Sequence, residues 1–594
     1  AVALVASQHV EVVGPASNTL KVGELREGVT KFKLRVKDDL GSGSLNFTAT
    51  GAGKSAKMGA TLSVRPAQPL HTQLVAGVVR NGSADAAVTR NLYPHYRKLE
   101  AGISHVPLVL AHGLAAYLQG YQYSCTEQLV SMGMPALILG NRPEFGYVKS
   151  KENRTLDELI NTLRARQNGE GAFGLWAGNA HVVDYVSVYA MHFLIEARER
   201  GRTVPNDLIV NGNNYLRALA GGDGGNLADE RMRAYAIYML TRQGIVTTNF
   251  AATVQKRLEA AHAKTYAQDI ASAYLAASYQ LMKQERLANQ LIGGVTFGTP
   301  VAQGGPYQDN FTRDAQLIHL IARHFPERLA KLKPEVIDNM VREIAGGGYN
   351  THSSAYTIIA FDAMAAAGEK LPAGTLVAAE VLRNNTSRAL TLPPGVMPRA
   401  TVSVEAAKLQ FSNKSDLPAY YVLEQTGFDR NLPEKEIKNG LEILREYVDA
   451  RGNSVKTVKV GDEIEVRLKF RALNREFVDN VALVDLLPGG FDLVLDATPA
   501  QKREGEGEAR EKDQRKWRAP LGTQRSTWQP DYGDLREDRV VLYGGIGKDV
   551  QEFAYRIKAT NVGSYAVPPA YGEAMYERKV QARSVGGRIV VEAR

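Results

Sequence analysis

The chain has 594 residues, 44% of them hydrophobic, with one cysteine and 72 basic against 63 acidic side chains. That length suggests about three to five domains. A single cysteine excludes an internal disulfide and any multi-cysteine zinc site. The net charge of +9 is spread along the chain without the aromatic-interleaved basic stripe of a nucleic-acid surface, so no nucleic acid is expected as a partner. No metal centre and no cofactor is expected. There is no run of 18 or more apolar residues, so no segment is expected to span a bilayer. The opening Ala1-Val2-Ala3-Leu4-Val5 lacks a basic flank and runs into strand-like sequence. It does not read as a signal peptide, and the chain is expected to be a segment of something longer or a mature product.

Along the chain the pattern changes from β to helical and back. In residues 1 to about 75, Lys31-Phe32-Lys33-Leu34-Arg35-Val36-Lys37, Ser44-Leu45-Asn46-Phe47-Thr48-Ala49-Thr50 and Ala60-Thr61-Leu62-Ser63-Val64 alternate with period two. From about 95 to 390 the pattern is helical. Mostly apolar segments begin near Cys125, Asp184, Arg231, Ile270, Arg313 and Ser353, at intervals of about 40–60 residues. Half-polar segments lie between them at 155–166, 207–219, 251–262, 285–291 and 335–344. Apolar helices inside and amphipathic helices outside, six pairs in all, bury what needs burial if they close into an α/α toroid; an open solenoid is the alternative. Gly-rich turns at 169–171, 221–225 and 346–348 punctuate the helices.

From about 396 the β pattern returns, as in Thr401-Val402-Ser403-Val404 and in Glu463-Ile464-Glu465-Val466-Arg467-Leu468-Lys469-Phe470. Residues 431–594 read as one β-sandwich. Residues 501–528, charged and poor in aliphatics, read as a flexible surface insertion. Helices flanked by β material on both sides are economically explained as a domain inserted into a β-domain split between residues 1–90 and 396–430.

Cys125-Thr126-Glu127-Gln128 carries the chemistry. A thiol and a carboxamide three positions apart meet across one helical turn. The Cys125 thiolate can attack the Gln128 amide and expel ammonia, leaving a β-cysteinyl-γ-glutamyl thioester. Such a bond is an activated acyl group, because sulfur leaves readily as a thiolate. It can acylate a lysine amine, a hydroxyl or water. Four residues alone leave two readings open, this one and a buried structural cysteine at a helix start. An activated acyl group needs a low-polarity shell, and Tyr117, Tyr121 and Tyr123 are the local candidates, with ordinary core packing as the other account of them.

Residues 120–130, Gly120-Tyr121-Gln122-Tyr123-Ser124-Cys125-Thr126-Glu127-Gln128-Leu129-Val130, resemble the thioester-domain signature of the alpha-2-macroglobulin and complement family. Ser124 departs from it, since the family usually has Gly there. Gln167-Asn168-Gly169-Glu170-Gly171-Ala172-Phe173-Gly174-Leu175-Trp176 resembles the turn before the second inner helix of such domains. Gly347-Gly348-Tyr349-Asn350-Thr351 resembles the turn before the last one. Gly440-Leu441-Glu442-Ile443-Leu444-Arg445-Glu446-Tyr447 and Val484-Asp485-Leu486-Leu487-Pro488-Gly489-Gly490-Phe491 resemble the C-terminal β-domain of the bacterial branch. In Tyr571-Gly572-Glu573-Ala574-Met575-Tyr576-Glu577, Met575 and Tyr576 match the motif that packs toward the thioester.

The resemblance implies a multidomain α plus β fold. Residues 1–90 and 396–430 are expected as the two parts of a CUB-like β-domain, 91–395 as the toroidal thioester domain inserted in it, and 431–594 as a macroglobulin-like, receptor-binding-type β-sandwich. It implies Cys125 and Gln128 as the thioester pair, Glu127 as motif support, and Tyr121, Tyr123, Met575 and Tyr576 as its shield. It also implies a single-use protease inhibitor rather than an enzyme. Cleavage of a bait region upstream exposes the thioester, which links to lysines of the attacking protease; residues 501–528, lying after the thioester domain, are not that bait. The location implied is the periplasm, with an inner-membrane anchor outside this chain and envelope proteins as further partners. Complement-type proteins that prefer hydroxyls use a histidine in a Val-Ile-His-like context, which this sequence lacks. His181, near Asp184, and His352 read as ordinary histidines, so direct attack by amines is expected. Two alternatives stand beside this: an envelope scaffold of the same family without a working thioester, and an α/α-toroid enzyme, against which the absence of an Asp-rich cluster in the helices counts.

Overall fold

Alternating and helical sequence segregate in space much as they do along the chain. The computed structural model describes residues 1–594 except 141, 143–144, 146–148, 179–180, 367–373, 394–397, 496–520 and 524. Most of the stretch read as a surface insertion, 501–528, lies outside the described residues. The chain divides into two units, one made of Ala1–Leu70, Arg90–Arg97 and Gly427–Leu432, the other of the rest.

In the first unit, Val2–Ala6 lies between Ser17–Asn18 and Gly41–Gly51, and Gly41–Gly51 pairs antiparallel with Lys54–Val64. Val10–Val13 and Lys33–Val36 form a second ribbon. Inward residues Leu4, Val10, Leu40, Leu45 and Val64 make a small core with Phe47, Tyr93 and Phe428 against it. The Arg430 guanidinium bonds Asp38 and lies over the Tyr93 ring.

The second unit holds two four-stranded sheets built from both sides of the helical region. Gly82–Ala87 pairs with Ala406–Asn413, and Lys98–Ser104 pairs with Ala419–Gly427, which also borders His71–Val79. Two expected boundaries therefore move. Residues 1–90, read as one part, divide near residue 70, because 71–87 take their hydrogen-bond partners from 406–427. Among the described residues the α-helices run from Leu110 to Ala366, a shorter stretch than the 95 to 390 expected to be helical; Leu376–Leu382 and Ser387–Ala389 are strands paired with each other, the first also with Ala406–Asn413.

Among the described residues there are thirteen α-helices: α1 (Leu110–Gln119), α2 (Thr126–Leu139), α3 (Lys149–Arg166), α4 (Asp184–Glu199), α5 (Asn206–Ala220), α6 (Leu227–Arg242), α7 (Thr248–Ala261), α8 (Ile270–Leu281), α9 (Glu285–Gly294), α10 (Asn310–His324), α11 (Pro326–Leu329), α12 (Pro334–Ala345) and α13 (Thr351–Ala366). The apolar ones touch in a cycle, α2 to α4, α6, α8, α10, α13 and back to α2. They are buried nearly all round, as a helix without a polar face must be. The helices between them bury one stripe. In α12 this is Ile337, Met340, Val341 and Ile344, spaced i, i+3, i+4, i+7, worth roughly 6–12 kcal/mol if each is fully buried. Asn226, Asp269 and Asp309 cap α6, α8 and α10 by accepting from first-turn amides. No helix among the described residues is long and apolar enough to cross a membrane.

After residue 432 a six-stranded sheet and a four-stranded sheet share one core. Leu441, Val466, Leu468 and Phe470 from one sheet meet Val481, Leu483, Val540 and Leu542 from the other. Arg445 and Asp485 pair inside it, with Tyr555 donating to Asp485 at 2.7 Å.

α1 is anchored to the split sheet by charge. His112 lies 2.6 Å from Glu100 and 3.2 Å from Glu424, with Lys98 at 3.3–3.4 Å from both carboxylates and Arg399 at 3.1 Å from Glu100. These three ligand-type residues lie within metal-chelating distance, but the two flanking cations already balance them. Burial alone would raise the Glu100 pKa. The hydrogen bond from His112 and the nearby positive charges outweigh it and bring the value down to about 2. Its contribution is therefore present at neutral pH and is lost as the pH falls through the carboxylate range toward that value. Glu100→Gln is expected to lower unfolding stability at pH 7 by on the order of 1–2 kcal/mol. In denaturant titrations the gap to the parent should close as the pH approaches 2; an equal deficit at pH 3 and pH 7 would refute the assignment.

Candidate functional site

The chain leaves α1 at Gly120 and turns through Tyr121, Gln122, Tyr123 and Ser124, and Cys125 becomes the extended N-cap residue of α2 (φ −64°, ψ 162°). Gln128 is then at the third helical position, from which a side chain reaches back to the cap. Its Oε1 accepts from the Cys125 backbone N–H at 3.0 Å. Both side chains belong to one capping arrangement, so the carboxamide stands beside the thiol-bearing residue. Cys125 is 1% exposed, and Glu127 and Gln128 are fully buried.

The motif is strapped to the turn that follows α3. Thr126 donates its amide to the Leu175 carbonyl (2.8 Å) and its hydroxyl to the Gly174 carbonyl (2.5 Å). Arg166, the last residue of α3, donates to Ser124 O at 3.1 Å and to Thr126 Oγ1 at 3.0 Å. The 167–176 turn itself needs Gly171, whose φ is +86° and where a Cβ would strike the Asn211 carbonyl of α5.

Glu127 points toward α13. It accepts from Ser131 (2.6 Å), from Thr351, the first residue of α13 (3.1 and 3.2 Å), and from Tyr576 (2.9 Å). Burial raises its pKa and these three hydroxyls lower it, leaving a value of about 7.

The far wall comes from the turn that follows the strand Ala570–Ala574. Met575 Sδ accepts from Gln128 Nε2 at 3.0 Å, and Tyr576 Oη lies 3.7 Å from Cys125 Sγ. Asn350 holds the Tyr576 carbonyl at 3.1 Å. Burial, reinforced by the negative charge of Glu127, pushes the Cys125 thiol up to about 12. Rings enclose the rest. Tyr117, Tyr121, Tyr123 and Tyr543 meet edge to face in sequence, at centroid distances of 5.6, 5.0 and 5.9 Å. Trp176 stacks on Tyr532, and Tyr307 meets Tyr576 edge-on at 4.8 Å. Arg578 lies over both Tyr117 and Tyr349.

The structure therefore brings Cys125, Glu127, Gln128, Met575 and Tyr576 into mutual contact, while Tyr121 and Tyr123 pack in the same apolar cluster as Cys125. The two histidines stand apart. His181 is exposed, and His352 Nε2 lies 2.9 Å from Tyr185 Oη, its pKa pushed down to about 3 by burial. Sequence reasoning missed Arg166, Ser131, Thr351 and Tyr307. The turns beside Arg166 and Thr351 were marked by their glycines, but nothing in the letters points those two side chains at the residues flanking Cys125 and at Glu127.

Residues 440–578 match the bacterial alpha-2-macroglobulin MG10 domain. The chain is 38% identical over 598 residues to an alpha-2-macroglobulin homolog of Yersinia pestis, covering 98% of this chain and 30% of that protein. It is 32% identical over 591 residues to an alpha-2-macroglobulin of Rickettsia conorii, covering 96% and 30%. It thus spans about a third of the length of the curated relatives it matches. A crystal structure of native Escherichia coli alpha-2-macroglobulin from domain MG7 to the C-terminus superposes with a TM-score of 0.78 at 22% identity, over 100% of this chain and 94% of that one. Matching sequence along almost its whole length, and folded like the MG7-to-C-terminus portion, the chain belongs to the bacterial alpha-2-macroglobulin family.

Proposed function

We propose that this chain is the reactive part of a protease-trapping inhibitor, in which Cys125 and Gln128 condense to an internal thioester that acylates lysines of attacking proteases. The observation that carries the reading is the Gln128 carboxamide, its oxygen on the Cys125 amide at 3.0 Å and its nitrogen on Met575 Sδ at 3.0 Å, in a site closed to water. Ring closure releases ammonia from that nitrogen. The product is an acyl group with a thiolate leaving group, screened by Met575, Tyr576, Tyr121 and Tyr123 until a conformational change withdraws the C-terminal strands. A lysine amine then attacks the Gln128 carbonyl carbon, and the Cys125 thiol is freed. Each bond is used once, so the activity is inhibition and not turnover.

The helix cycle is read as the α/α toroid of a thioester domain, the two sheets around it as a split CUB domain, and the strands after residue 432 as the macroglobulin-like C-terminal domain. On this reading the trigger is cleavage of a bait region, and an anchor holds the whole protein at the inner membrane. A periplasmic station guarding the cell envelope, with envelope proteins as further partners, goes with that reading.

One observation favours a second reading, an envelope scaffold with a silent cysteine: a thiol pushed up to about 12 is unreactive by itself. Intact mass and thiol titration before and after methylamine separate the two. The thioester predicts a mass lower by one ammonia and no titratable thiol, then one thiol after treatment. A thiol present from the start, with the full mass, would overturn the proposal. The screen is tested by Met575→Ala, expected to react with methylamine at least about tenfold faster, equivalent to about 1.4 kcal/mol of barrier; an unchanged rate would remove Met575 from the shield.

A further inference from the structure

Glu127 is a fully buried carboxyl whose described hydrogen bonds come only from neutral hydroxyls, those of Ser131, Thr351 and Tyr576. A buried carboxylate without a cation is costly, and a role in packing alone would be served as well by an amide. Tyr576 bridges it to the reacting sulfur, with its hydroxyl 2.9 Å from Glu127 Oε2 and 3.7 Å from Cys125 Sγ. We infer that Tyr576 is a catalytic proton carrier for thioester formation, passing the Cys125 thiol proton to Glu127, and is not only a cover. The inference rests on the thioester reading above and assigns the step by which that bond is made.

Closure needs a base, because a thiol held near 12 is almost entirely protonated at neutral pH. As the Tyr576 oxygen takes the proton from sulfur, its own phenolic proton moves to Glu127. Sulfur forms its bond to the Gln128 carbonyl carbon, and negative charge gathers on Oε1, where the Cys125 N–H already donates. The carbon–nitrogen bond then breaks, with its electron pair staying on nitrogen. Glu127 returns the proton through Tyr576 to that nitrogen, which leaves as ammonia. The thiol proton ends on ammonia, and Glu127 and Tyr576 are restored. A carboxyl near 7 can both accept and return a proton at neutral pH.

The test follows closure in the full chain made by cell-free synthesis, quenched at intervals with a thiol-blocking reagent and read by mass. Tyr576→Phe keeps the ring against Tyr307 and removes one oxygen; Glu127→Gln keeps the shape and removes the acid. Each is expected to slow ammonia loss by about a hundredfold, within the range of general acid–base effects, with melting temperatures near the parent's. The parent alone supplies a further readout: its closure rate should rise with pH and level off above about 7, and Glu127→Gln should abolish that titration.

The groups around Glu127 do not imitate it. Tyr189, Tyr307 and Tyr576 are buried phenols held above their ordinary range, Arg166 faces Cys125 as a cation, and His352 beside Tyr189 is neutral. Asp309 and Glu573 are also raised by burial, but one caps α10 and the other accepts from Tyr571 at 2.6 Å. Closure at the parent's rate in both folded variants, or a parent rate flat across pH 6–8, overturns the relay and leaves the thioester standing. A parent that never loses ammonia overturns both.

Discussion

The first turn of α2 is the constraint on which the rest of the site depends. With Cys125 at the cap and Gln128 at the third helical position, one hydrogen bond from backbone amide to carboxamide oxygen fixes which way the carboxamide faces. That bond persists only where water does not compete for either group, and this requirement recruits the surroundings. The 167–176 turn occupies the Thr126 amide and hydroxyl, Arg166 ties down Ser124, and the turn after Ala570–Ala574 places a thioether on the carboxamide nitrogen. Each comes from a different stretch of chain, so the site exists only once all of them have packed.

The architecture explains why they meet there. Apolar helices must be covered on every side, and a closed cycle of them does this with no exposed end member. The cycle closes where α13 returns to α2, and the two helices bring their N-termini to the same place, since Thr126 and Thr351 are their first residues. Glu127 therefore lies in the first turn of one helix and against the first residue of the other. Three hydroxyls offset part of the burial, so the carboxyl stays within reach of ionisation. The strands on either side of the helices pair with one another, and α1 is pinned to them by His112 between Glu100 and Glu424. The segment entering the motif thus starts from a fixed point.

Around the polar centre the walls are aromatic. Tyrosines suit this place because each offers a large apolar face and one hydroxyl. Tyr576 uses both, its ring against Tyr307 and its hydroxyl between Cys125 and Glu127. Arg578, two residues on, is held between Tyr117 and Tyr349, which fastens the C-terminal strands to the end of α1 and the turn before α13.

Much of this was legible in the letters. The apolar starts near Cys125, Asp184, Arg231, Ile270, Arg313 and Ser353 all fall within four residues of the helix starts of α2, α4, α6, α8, α10 and α13, because periodic burial leaves a local, additive signature. The spacing of Cys125 and Gln128 told that they share a turn, since helical geometry depends on nothing farther away. Domain edges were less readable. Residues 71–87 look like the strands before them but take partners more than 300 residues later, and strand pairing is not written in either strand alone. The sequence by itself determined where the six apolar helices begin, which side chains share the first turn of α2, and that one thiol stands three places from a carboxamide. Only the tertiary structure decided that Thr351 and Tyr576 converge on Glu127, that Arg166 holds the turn, and that Met575 lies on the amide nitrogen. Those contacts join segments up to some 450 residues apart, and their physical cause is the closing of a helix cycle and the docking of a sheet upon it.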